Sequence, residues 1–328
     1  MALETVAVIG GGAWGTALAQ AAAMAGRPVL LVARDPAQVA EINTSHTNRR
    51  YLGEQKLHAG IRAALTPEPA DIVVLAVPAQ ATRSALAALD PALLAERPVV
   101  LSAKGLEAGT LQRQSEVLID MAPKAIPYVL SGPSFAADVA AGRPTAVTLA
   151  GDDAENTSAL AAALAGPMFR PYAADDRIGV EIAGALKNVY ALASGAIEGA
   201  GLGASARSAL IARAYAEMAR MVQAMGGSAT TLTGLAGLGD LTLTCTSVQS
   251  RNYQFGMALG RGESVEAIMA GGAKLAEGVA TTPVADALAR SLGVDAPLIA
   301  AMDAVLTNQA DITEIVAGLM SRPLKREG

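Results

Sequence analysis

Val6-Ala7-Val8-Ile9-Gly10-Gly11-Gly12-Ala13-Trp14-Gly15 is followed by the helix-like run Thr16 to Ala25, so three consecutive glycines stand between a strand pattern and a helix pattern. In that setting each glycine has a task. Gly10 permits the tight turn, Gly12 lets backbone approach a pyrophosphate, and Gly15 allows helix and strand to pack closely, while the helix N-terminus presents N–H groups to the anion. A flexible turn is the alternative for the glycines taken alone. Beyond them, short aliphatic runs alternate with longer helical patterns. The expected strands are Thr5 to Ile9, Pro28 to Val32, Ile72 to Val77, Pro98 to Ser102, Ile126 to Leu130 and Thr145 to Leu149. This alternation predicts an α/β, Rossmann-type doubly wound parallel sheet. From Ile178 onward the pattern is helical and punctuated by glycines. The reading is therefore a dinucleotide-binding domain over 1–176 and an all-helical substrate domain over 177–328.

Composition narrows the function. With 52% hydrophobic and 17% charged residues over 328 positions, the chain can bury two cores, yet charges such as Arg27 and Arg34 interrupt each apolar run. No run reaches the roughly 20 residues a membrane-spanning helix needs. Met1-Ala2-Leu3-Glu4 leads directly into a strand without a basic and apolar leader, so a cytoplasmic location is expected. One cysteine, Cys245, and two histidines, His46 and His58, are too few for a Cys/His zinc site, and a net charge of -5 argues against nucleic acid as a partner. Redox chemistry must then come from an organic cofactor or elsewhere.

Three charges stand isolated in neutral surroundings: Lys104, Lys187 and Asp240. Charge is costly to bury unless it is paired or used. Lys187 is the only charge between Ile182 and Ile197, and desolvation there should lower its pKa. Asp240 follows the loop Gly234-Leu235-Ala236-Gly237-Leu238-Gly239 and can orient an ammonium or bind a substrate hydroxyl. A Lys187–Asp240 pair serving architecture alone is the alternative. Ser250-Arg251-Asn252 precedes the helix-like Tyr253 to Leu259 and suits a phosphate: a guanidinium fork, two further donors and a helix N-terminus. An ordinary N-cap is the alternative there. Lys104, after the strand ending at Ser102, and Gly132-Pro133-Ser134-Phe135-Ala136, after the strand ending at Leu130, fall at the carboxyl edge where open α/β sheets bind ligands. At the end of the second strand, Ala33-Arg34-Asp35 puts a guanidinium where an NAD-selective site carries an acid. Arg34 suits the 2′-phosphate of NADP, Asp35 keeps NAD open, and a solvated surface arginine is the alternative.

Taken together, the Gly10 to Ala19 stretch, Ser102-Ala103-Lys104-Gly105-Leu106-Glu107, Gly132 to Ala136, Leu186-Lys187-Asn188-Val189, and Gly237-Leu238-Gly239-Asp240 through Thr244-Cys245 to Ser250-Arg251-Asn252 resemble bacterial-type NAD(P)-dependent glycerol-3-phosphate dehydrogenase in order and spacing. The resemblance implies that Lys187 is the general acid or base. It surrounds glycerol phosphate with Lys104, Gly132, Ser134, Asp240, Ser250, Arg251 and Asn252. Around the dinucleotide it places Gly10, Gly12, Ala13, Trp14, Gly15, Arg34, Lys104, Ala136, Arg251, Leu275 and Glu277. It also implies interconversion of dihydroxyacetone phosphate and glycerol 3-phosphate for phospholipid synthesis, and a homodimer. The chain departs from the pattern at Ala13 and Ala79, where serine is usual, at Leu275, where valine is usual, and over Gly53 to His58, which lacks the common prolines. Cys245 has no neighbour in sequence that activates a thiolate and is read as packing. Two rivals stay open: a related dehydrogenase of another phosphorylated or carboxylated hydroxy compound, and a non-catalytic dinucleotide-binding redox sensor.

Overall fold

The computed structural model describes residues 3–271, 276–321 and 323. Strands β1 (Val6–Ile9), β2 (Val29–Val32), β3 (Ile61–Ala64), β4 (Ile72–Leu75), β5 (Pro98–Leu101), β6 (Ile126–Ser131), β7 (Thr145–Ala150) and β8 (Phe169–Ala174) form one sheet in the order β3-β2-β1-β4-β5-β6-β7-β8. Helices α1 (Ala13–Met24), α2 (Pro36–Ser45), α3 (Arg49–Leu52), α4 (Thr82–Ala87), α5 (Gln114–Met121), α6 (Ala136–Ala140) and α7 (Ala154–Leu164) connect the strands. Separate apolar cores lie on the two faces of the sheet. β1, β2, β4 and β5 are buried along their whole length, which is why they read as unbroken aliphatic runs.

Two features depart from the expected sheet. β6 and β7 pair antiparallel, so β7 and β8 run against the other six strands. β3 and β8 are edge strands absent from the sequence reading. Ile-Arg-Ala-Ala and Phe-Arg-Pro-Tyr-Ala-Ala carry the charges and the proline that a buried strand would exclude but an edge strand tolerates.

The second half is helical: α8 (Arg177–Gly199), α9 (Gly203–Ala224), α10 (Asp240–Thr246), α11 (Arg251–Gly260), α12 (Val265–Ala270), α13 (Glu277–Ser291), α14 (Pro297–Leu306) and α15 (Ile312–Met320). Every residue of α8 from Gly179 to Ile197 is buried, because α9, α10, α11, α13 and α14 pack around it. α11 lies closest. A Cβ on Gly195 would strike the Tyr253 carbonyl, and one on Gly256 the Leu192 carbonyl, so glycines on both helices permit the approach. This contact fixes the start of α11 beside the middle of α8. Among the described residues no helix is long and apolar enough to cross a membrane.

Candidate active site

The strand order reverses between β1 and β4, and the loops after β1, β4, β5 and β6 therefore line up along one carboxyl edge. The first of them is the glycine loop. Gly10 has φ 119°, and a Cβ there would strike the Ala76 carbonyl after β4. A Cβ on Gly15 would strike the Gly10 carbonyl, whereas Gly12, at the N-cap of α1, faces open space. The loop is held from behind: the Gly11 carbonyl accepts from Gln38 Nε2 and from Asn48 Nδ2 (3.0 Å), and Asn48 also bonds Thr16 Oγ1 at 2.8 Å. Asn48 and Gln38 were not legible as site residues, since each lies far along the chain from the glycines it supports.

Beside this loop, the buried Trp14 Nε1 has no hydrogen-bond acceptor among the described residues. A buried unpaired donor next to an open helix N-terminus fits the dinucleotide that the glycines imply. At the end of β2, Arg34 is exposed, and Asp35 caps α2 by accepting from Ala37 N at 2.9 Å while facing Arg50 at 3.8 Å. The acid that left NAD open is thus engaged in a helix cap.

The three isolated charges converge. Asp240 takes Lys187 Nζ on Oδ1 and Lys104 Nζ on Oδ2, both at 2.7 Å. Lys187 also donates to Thr244 Oγ1 at 2.8 Å, and Thr244 donates to Asp240 Oδ1 at 3.2 Å. Thr244 lies one turn after Asp240 on α10, and that i, i+4 spacing is its signal in the sequence. The glycines before Asp240 form a wide turn in which Gly239 N bonds the Gly234 carbonyl at 3.2 Å, five residues back. Such turns recur where a helix must aim a functional side chain.

The electrostatics follow from burial and number. Burial pushes the Lys187 ammonium down to about 8, and the Lys104 charge pushes the same way against the pull of Asp240. Burial alone would raise Asp240, but its two ammonium neighbours outweigh this and hold it below the usual carboxylate range. Burial pushes the Cys245 thiol up to about 12, so it stays protonated and packs.

Around this cluster, Lys104 Nζ donates to the Gly132 carbonyl at 3.1 Å, and Ser134 Oγ donates to the same carbonyl at 3.0 Å. Ala136 begins α6 immediately beyond. Ser250 caps α11 by accepting from Tyr253 N, and Arg251 at the start of that helix is exposed. Asn252 is buried and ties helices together: its Nδ2 donates to Asn188 Oδ1 and its Oδ1 accepts from Gly278 N, each at 2.9 Å. Asn188 in turn donates to the Lys104 carbonyl at 2.9 Å. Asn252 therefore holds the site's framework. Burial raises the pKa of Glu277 at the start of α13, opposed by Arg251 and by the Ala79 N–H it accepts. Leu275 lies outside the described residues.

The comparisons with known proteins point the same way. The family model described as the NAD-dependent glycerol-3-phosphate dehydrogenase N-terminus matches residues 5–157, and that of the C-terminus matches residues 176–317. Glycerol-3-phosphate dehydrogenase [NAD(P)+] of Caulobacter vibrioides is 48% identical over 330 residues, covering 100% of both chains. That of Brucella canis is 50% identical over 326 residues, covering 98% of each. The crystal structure of glycerol-3-phosphate dehydrogenase from Coxiella burnetii superposes with a TM-score of 0.90 at 36% identity, over 97% of this chain and 99% of that one. With both family models matched in order and full-length relatives near one-half identity, this chain belongs to the NAD-dependent glycerol-3-phosphate dehydrogenase family and is an NAD(P)-dependent oxidoreductase.

Proposed function

We propose that the chain reduces dihydroxyacetone phosphate to glycerol 3-phosphate with Lys187 as the general acid. The observation that carries this reading is the Lys187 amine itself: buried at the carboxyl edge, bonded to Asp240 and Thr244, and depressed to about 8. When bound, the reduced nicotinamide supplies the hydride. The Lys187 ammonium donates a proton to the emerging C2 alkoxide, and the neutral amine accepts it in the reverse direction. Asp240 and Thr244 hold that amine in one orientation. Lys104 and Arg251, with Ser250, Asn252, Ser134 and the Gly132 backbone, bind the phosphorylated three-carbon chain. Three cations against the two carboxylates Asp240 and Glu277 leave the pocket positive, which suits a phosphate dianion.

On this reading residues 1–176 hold the dinucleotide, over Gly10, Gly12, Ala13, Trp14, Gly15, Arg34 and Ala136 with Glu277 from α13, and residues 177–328 hold the substrate. The engagement of Asp35 in its helix cap favours NADPH, with Arg34 facing the 2′-phosphate. Two assays suffice. Absorbance of NADPH and of NADH is followed with dihydroxyacetone phosphate and with unphosphorylated dihydroxyacetone. Turnover only with the phosphate ester, and a higher kcat/KM for NADPH, are expected; equal turnover of the two ketones would remove the phosphate-binding role, and a preference for NADH would remove that of Arg34. Light scattering checks the homodimer that the resemblance implies.

A further inference from the structure

α8 carries Lys187 but belongs to the helical half, whereas Lys104 stands on a loop of the sheet. Something must fix the helix against the sheet if the two amines are to meet on one carboxylate. We propose that Glu181, six residues before Lys187 on α8, is a positioning residue that sets where α8 stands along the carboxyl edge, and with it the Lys187 amine. The inference rests on the reading of Lys187 as the acid.

Glu181 is 4% exposed. Its Oε1 accepts from Ser115 N at 2.8 Å, its Oε2 accepts from Ser115 Oγ at 2.7 Å, and the Arg113 guanidinium lies 3.5 Å away. Ser115 is the second residue of α5, whose first N–H groups have no partner within their own helix. A carboxylate from a different half of the molecule fills that place. Burying it is tolerable only because two donors and a guanidinium meet it there.

Glu181, Gly184 and Asn188 follow one another at i, i+3 and i+7, so they form one stripe along α8. Each is fastened to a different part of the sheet's carboxyl edge. Glu181 grips the start of α5. A Cβ on Gly184 would stand 2.8 Å from Ser131 Oγ at the end of β6, so the helix sits there without room for a side chain. Asn188 donates to the Lys104 carbonyl. The loop between these anchors starts at Lys104 and is closed by a bridge between Leu106 and Arg113 and by Gln114 Nε2 donating to the Gly105 carbonyl at 3.0 Å. The residue that receives Glu181 therefore terminates the same loop that presents Lys104. Six residues of helix put Glu181 about 9 Å along the axis from Lys187, far enough that it touches no reactant.

The test uses purified Glu181→Ala and Glu181→Gln with kcat, KM for dihydroxyacetone phosphate, NADPH affinity from Trp14 fluorescence and the pH profile of kcat/KM. Glu181→Ala is expected to lower kcat per folded molecule by about 10–100-fold, the scale of a misplacement near 1 Å, and to displace the ionisation near pH 8. The charged groups that act on Lys187, Asp240, Lys104 and Glu277, are unchanged in these variants, so a displaced midpoint reports a moved amine. NADPH affinity should stay within about twofold, because the glycine loop is elsewhere, and Glu181→Gln, which still accepts from Ser115 N, should recover to within about fivefold of the parent kcat. A folded Glu181→Ala enzyme with unchanged kcat and unchanged pH midpoint overturns the inference. Should that variant not fold, Ser115→Ala carries the test: it removes only the hydroxyl donor to Glu181 and must lower kcat and move the midpoint, or the proposal fails. Retained turnover by Lys187→Met would sink the underlying reading, whereas an inactive Lys187→Met beside unaffected Glu181 variants would sink only this one.

Discussion

Replacing Lys187 by methionine should separate chemistry from stability in a single substitution. The side chain is similar in length, so the buried space beside α10 stays filled. Two energetic effects then oppose each other. Removing the ammonium deletes one partner of a buried pair, which commonly costs about 3–5 kcal/mol when the remaining charge is left alone. Here Asp240 is not left alone, because Lys104 remains on its other oxygen at 2.7 Å. The ammonium was itself costly to bury: a shift from 10.5 to about 8 corresponds to roughly 3 kcal/mol of disfavoured charge. The net change in unfolding free energy should therefore fall within about 1–2 kcal/mol of zero, while loss of the proton donor lowers kcat by about 10²–10⁴-fold or more. Urea unfolding followed by circular dichroism gives the first quantity, and single-turnover oxidation of NADPH gives the second. Turnover within about tenfold of the parent enzyme would refute the acid role. A loss well above 3 kcal/mol, with activity lost only because the chain unfolds, would show that the pair serves architecture.

The same amine makes the two directions depend on pH with opposite sign. Reduction needs the ammonium and should decline as pH rises through about 8, whereas oxidation needs the free amine and should decline as pH falls through about 8; parallel limbs in the two kcat/KM profiles would exclude Lys187 as the titrating group. Gly15→Ala drives a Cβ into the Gly10 carbonyl, so it should abolish NADPH-dependent quenching of Trp14 at concentrations that saturate the parent, and retained quenching would show that the glycine loop does not carry the dinucleotide. Glu217 on α9 accepts from Leu298 N at 2.9 Å and Ile299 N at 3.0 Å at the start of α14, and burial raises it to about 7. Because its folded pKa exceeds the unfolded value, its ionisation costs stability progressively as pH rises from about 4.5 through 7. Glu217→Gln should flatten that part of the stability profile, and an unchanged slope between pH 5 and about 7.5 would contradict the assignment.

Much was legible in the chain because the physics involved is local. Three glycines between a strand and a helix can be recognised without neighbours, since their turn and the helix end are built from adjacent residues. Buried parallel strands announce themselves as aliphatic runs, and an isolated charge such as Lys187 within an apolar helix is conspicuous wherever the helix sits. Arg251 after Ser250 is readable for the same reason, as a capped helix start. The edge strands were not, because Arg62 and Pro171 obey the looser rules of a strand paired on one side only. Nor was the reversal of β7, which depends on how the segment after Gly132 returns to the sheet.

Sequence by itself determined the kinds of group available and the places where backbone must turn, for these depend on residues a few positions apart. Tertiary structure alone decided that Asp240 is shared by two lysines, that Thr244 braces one of them, and that Glu181 reaches across to α5. Each of these contacts joins segments far apart in the chain, and a hydrogen bond between distant segments leaves no periodicity to be read.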